Sequence, residues 1–133
     1  MQGALDFLLR IGTLERGHAR GSLHAHLIGT WELLHSWGCE PSVCLAGLYH
    51  SVYGTNFYEL QSFPLQRRQE IRGVIGAEAE ELVFLFCVAD RAHALWDACQ
   101  IRRVIDRLTG TSYPVSSDQA IALIEIECAN CLE

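Results

Sequence analysis

Residues 43–49, Val-Cys-Leu-Ala-Gly-Leu-Tyr, constrain the fold of this 133-residue chain more than any other stretch. Every position is apolar or glycine; His50 and Ser51 follow, and a turn signal stands at Gly54. A helix that is apolar on every face must run through the middle of a domain. His50, on its last turn, is thereby carried inside, where an imidazole needs a partner. A backbone carbonyl, a carboxylate or a metal ion would serve, and histidine is the commonest metal ligand.

The rest of the chain reads as helices to surround that run. Leu5, Leu8, Leu9 and Ile11 have helical spacing and predict a helix over 4–14. The stretch from Gly17 to Gly21, which holds His18 and Arg20, reads as a connection, and Ser22 as an N-cap. The helix over 23–37 places His26, Leu27, Thr30, Leu33, Leu34 and Trp37 on one face, with His24, Glu32 and His35 elsewhere and Gly38 ending it. Pro41 opens the central helix. A helix over 65–74 carries Arg67, Arg68 and Arg72, read as a solvated face. The next, over 77–90, is acidic in its first turn and apolar from Leu82 to Ala89, so it is expected to carry Asp90 into the interior.

A helix over 95–108 would bury Trp96, Cys99, Val104 and Leu108. Ser116 caps a last helix with Ile121, Leu123, Ile124 and Cys128 inside. Trp31, Trp37 and Trp96 are assigned to the core. No hairpin with alternating flanks is visible. The fold expected is all-α, a single domain over 1–133 built as one compact bundle of six or seven helices.

A formal charge of −6 argues against a nucleic-acid or anionic-membrane surface. No apolar run approaches the roughly 18 residues of a membrane span. The first residues lack the basic region of a signal peptide, so a cytoplasmic location is expected. Most of the six cysteines are then assigned as reduced core residues. Cys128 and Cys131 have metal-ligand spacing, but a structural zinc site needs two such pairs.

His26, His50 and Asp90 are the buried ligand types, one from each of three helices. Two imidazoles and a carboxylate with open positions form a catalytic rather than a closed metal site. The plainer alternative is a His–Asp–His hydrogen-bond network that pins the three helices. If His50 lines a site, Tyr53 and Thr55 stand at its mouth as hydrogen-bond donors to substrate. His18 and Arg20 either line the pocket, where Arg20 would hold an anionic group, or belong to a solvated loop. His93, three residues after Asp90, is placed to orient it. Ser51 reads as a helix-end hydroxyl rather than a nucleophile.

The order of His26, a helix ending Ala46-Gly-Leu-Tyr-His50-Ser51, and Val88-Ala-Asp90-Arg91 resembles the HD-domain superfamily of helical metal-dependent phosphohydrolases. The likeness is greatest to the alarmone-hydrolase branch and spans roughly residues 18–95. The stretch from His26 to Thr55 is also similar to a small His-Ser variant of that superfamily. By position the resemblance assigns His26, His50 and Asp90 as ligands to one divalent ion, whether Mn, Fe, Co or Zn. Ser51 stands where those enzymes have a second-ligand aspartate, and Tyr53-Gly54 where they place an acidic pair. A single ion is therefore expected.

The implied activity is hydrolysis of a small phosphorylated or nucleotide-like molecule, with Arg20 steadying the anion. Two other readings stand beside it. One is a non-haem Fe(II) oxygenase on the same residues. The other is a non-catalytic helical interaction module. Small HD-like domains often pair, so a homodimer is also implied.

Overall fold

The computed structural model describes residues 1–12, 17–18, 21–57, 61–90 and 94–133. Among them are seven α-helices: α1 (Gln2–Arg10), α2 (Leu23–Ser36), α3 (Pro41–Tyr49), α4 (Arg68–Ile75), α5 (Ala77–Val88), α6 (Ala94–Ile101) and α7 (Ser117–Leu132). Two small antiparallel pairs accompany them. β1 (Gly17–His18) pairs with β2 (Gly21–Ser22), and β3 (Arg103–Ile105) with β4 (Ser112–Pro114). The protein is an all-α bundle.

The apolar run forms α3 and is its axis. Val43, Cys44, Ala46, Gly47, Leu48 and Tyr49 are all buried, and α2, α5 and α7 pack around them. α5 is apolar for the same reason, with every residue from Leu82 to Val88 buried. The caps are those the sequence marks. Ser22 Oγ accepts from the Ala25 amide, and Ser116 and Gln119 form a reciprocal capping box on α7. At the other end of α3 the Tyr49 hydroxyl donates to the Ala4 carbonyl at 2.7 Å and ties α1 to the core.

Several expectations are corrected. The helix predicted over 95–108 ends at Ile101; Arg102 takes a left-handed φ of 56° and the chain continues as β3. β-branched Val104 and Ile105 suit a strand, Val104 alone turns inward, and Thr109-Gly110 lies in the turn. Leu108 and Trp96, assigned to the core, are therefore exposed. Trp37 is exposed because it is the C-cap of α2, beyond the packed face. On α7, Ile121 and Cys128 face solvent, while Ala120, Leu123, Ile126 and Ala129 form the buried stripe.

Arg68 is not part of a solvated face. Its guanidinium makes a two-pronged pair with Glu80, which is 0% exposed, through Nε at 2.7 Å and Nη2 at 2.8 Å. It also lies over the Phe84 ring, 3.7 Å from the centroid. The Tyr53 hydroxyl donates to the same Glu80 at 2.9 Å. A buried carboxylate needs such partners. Here they lock α4, α5 and the turn after α3 together.

Burial pushes the Tyr49 phenol above its ordinary pKa, and burial with the Glu80 carboxylate does the same to Tyr53. Both therefore stay protonated in the folded state at a pH where the unfolded chain would release them. Their contribution to stability is complete below about pH 10 and is lost as pH rises further. In an alkaline titration followed by tyrosinate absorbance, these two of the four tyrosines should ionise only as the protein unfolds. Smooth ionisation of all four before any loss of helix would contradict this.

Candidate functional site

A close helix approach sets the site. α2 and α3 meet at Gly47, where a Cβ would overlap the buried Leu34 Cδ1 and stand 3.4 Å from Thr30 Cγ2. With no side chain there, α3 lies against the face of α2 that carries His26, Thr30 and Leu34. His50, the C-cap residue one turn beyond Gly47, is then brought opposite His26. Both are buried, at 2% and 7% exposure.

The two rings meet edge to face at 74°, with Nε2 to Nε2 at 3.3 Å. Nδ1 of His50 is 2.7 Å from the Gly47 carbonyl, so it carries the ring proton and leaves a lone pair on Nε2. Nε2 of His26 faces both that lone pair and, at 2.9 Å, Asn130 Oδ1 from α7. Asn130 Nδ2 donates to Glu127 Oε2 at 3.2 Å, which turns the amide oxygen toward the imidazoles. Phe86 closes one side with its ring edge-on to His50, and the Cys87 thiol donates to the His50 carbonyl at 3.1 Å.

Asp90, the third expected ligand, is not brought into this cluster. α5 stops at Val88, and Ala89 is extended and bridged to Asp106, so Asp90 leaves the core and is exposed. It accepts from Asn56 Nδ2 at 2.9 Å. Among the described residues no group of three or more His, Cys, Asp or Glu could hold a metal ion. The set that is present is two imidazoles and one amide oxygen.

The other candidate residues divide. Tyr53 is buried and its hydroxyl is committed to Glu80, so it stands in the scaffold rather than at a mouth. Thr55 is also buried. Ser51 is buried beside His50, and its Oγ has no hydrogen-bond partner among the described residues. Arg20 and His93 lie outside the described residues, and of His18 only the backbone, in β1, is described.

Asn130 and Glu127 were not marked by sequence reasoning. The available signal was a polar residue on an apolar stripe: Asn130 follows Leu123 and Ile126 at helical spacing. The neighbouring cysteines, Cys128 and Cys131, are exposed and form no disulfide. Burial and then the Glu125 carboxylate push the Cys39 thiol up to about 11, which disfavours its thiolate. Cys39 lines a cleft of about 880 Å³ that shares no residue with the imidazole pair. Three of its carboxylates, Glu40, Glu78 and Asp118, sit where helices begin and complement their dipoles.

One family model matches residues 7–91, almost two thirds of the chain, and its description is Domain of unknown function (DUF6817). The chain belongs to that family. No curated protein and no solved structure matches it.

Gly47→Ala should push α3 off α2 despite alanine's better helix propensity. The expected net loss is about 1–2 kcal/mol in denaturant melts, with changed imidazole resonances for His26 and His50. Unchanged stability and resonances would show that Leu34 yields and that the glycine does not set the spacing.

Proposed function

We propose that this member of the DUF6817 family is a mononuclear metal-dependent, HD-like enzyme that hydrolyses a small phosphorylated or nucleotide-like molecule, with His26 and His50 as ligands. The observation that carries the reading is the pair of Nε2 atoms 3.3 Å apart. Two ligands at about 2.1 Å from one ion, with angles of about 90–110°, lie about 3.0–3.4 Å from each other. Half of the donor set is preset, and His26, whose Nε2–H faces two acceptors, would carry its proton on Nδ1 when Nε2 ligates. His50 is fixed by the Gly47 carbonyl in the tautomer that offers Nε2, as a ligating histidine with its other nitrogen hydrogen-bonded does.

A divalent ion bound there would polarise a phosphoester and acidify a water. The chain's own contribution is orientation and exclusion. Gly47 and Phe86 fix the His50 ring, the surrounding apolar core keeps bulk water out, and the Ser51 hydroxyl is available to a water or substrate oxygen. Arg20 would steady the anion. Among the described residues no helix is long and apolar enough to cross a membrane. A cytoplasmic location and pairing of two copies go with this reading.

A second reading has its own support. Asn130 closes the imidazole pair with a hydrogen bond, which is what a polar staple in a non-catalytic helical module would show. Elemental analysis of the protein purified without added metal, beside His50→Ala and His26→Asn, separates the two. The expected result is about one equivalent of Mn, Fe, Co or Zn, lost in both variants with helical circular dichroism retained, and metal-dependent phosphate release from a nucleotide panel. Wild-type protein that takes up no metal when it is supplied would overturn the enzyme reading. Iron with oxygen uptake and no phosphate release would replace hydrolysis with oxygenase chemistry.

A further inference from the structure

We propose that Asn130 is a third metal donor, supplied through its side-chain oxygen by the last helix. The inference rests on the ion-site reading above and names a ligand from outside the stretch that the family model matches. Three observations converge on it. Asn130 Oδ1 is 2.9 Å from His26 Nε2, close to the spacing of adjacent ligands around one ion. The bond from Asn130 Nδ2 to Glu127 fixes which end of the amide faces the rings, and it is the end with lone pairs. The helix carrying Asn130 packs against both α2 and α3, so the donor is held by the same core that holds the imidazoles.

The nature of the donors has a consequence for the substrate. Two neutral imidazoles and a neutral amide bring no charge of their own to a divalent ion, and the Glu127 carboxylate behind Asn130 offsets only part of it. In an interior of low dielectric such an ion favours an anion at its open positions far more than water does. The site therefore selects an anionic oxygen group, a phosphate or a carboxylate. Carbonyl oxygen beside imidazole also suits Mn, Fe or Co better than a purely sulfur-seeking ion.

Co(II) titration of wild type, Asn130→Ala and Asn130→Asp, followed by visible absorption and calorimetry, tests the donor directly. Thermal melts report folding, and His50→Ala serves as the reference for a lost ligand. Wild type should bind Co(II). Asn130→Ala should bind about tenfold more weakly or worse, with a changed d–d spectrum. Asn130→Asp, which places an anionic oxygen at the same point, should bind more tightly than wild type and shift the spectrum. If wild type binds but Asn130→Ala matches it in affinity and spectrum, Asn130 is no donor and the two-imidazole site stands without it. Asn130 is equally ruled out if Asn130→Ala fails to fold and Asn130→Asp binds like wild type with no spectral change. If wild type binds no Co(II), the ion site itself falls.

Discussion

The contact of α2 with α3 is the constraint on which the rest of the structure depends. A side chain at Gly47 would overlap the end of the buried Leu34 side chain, so the seam is this close because that position has none. Once the helices lie this close, the two histidines they carry have nowhere to go but toward each other. Burying two imidazoles is unfavourable unless their nitrogens find partners. The molecule supplies these in a line that runs from the Gly47 carbonyl through His50 and His26 to Asn130 and Glu127. Each link fixes the orientation of the next, so the two rings and the amide are held in one arrangement.

A second buried polar group does different work. Glu80 has no exposure and is met by Arg68 from α4 and Tyr53 from the turn that follows His50. Breaking such a pair from one side costs about 3–5 kcal/mol in a buried setting. That cost opposes release of the turn at the exit of α3, which Tyr53 ties to Glu80. The chain leaving His50 is also held by the bond from Asn56 to Asp90 and by the Ser62 and Phe63 amides on the Val52 carbonyl. One polar cluster presents donor atoms, and the other keeps their backbone still.

The sequence was most informative where one physical effect dominated. Unbroken apolar runs made α3 and α5 legible as central helices, and Ser22, Pro41 and Ser116 marked where helices start. His26 and His50 were legible because each ends or interrupts an apolar face. Asp90 shows the limit of that argument. An apolar helix fixes the direction of its last residue only if the helix continues to it, and α5 stops two residues earlier, with Ala89 extended against Asp106. Arg68 misled for the opposite reason. Its charge suggests solvent, and only the three-dimensional partner, Glu80 on another helix, brings it inward. Residues 102–108 failed as a helix because one left-handed residue, Arg102, redirected the chain into a strand pair. Asn130 was hidden by its neighbours, since the cysteines beside it drew the chemical reading to the wrong side of α7.

The links around His26 differ greatly in the length of chain they close. His50 is 24 residues away, whereas Asn130 is 104 residues away. Closing the longer loop carries the larger entropic cost, and contacts between distant segments generally form late. On loop closure alone, the two imidazoles would meet before the last helix docks, and the Asn130 contact would be the last of these links to form.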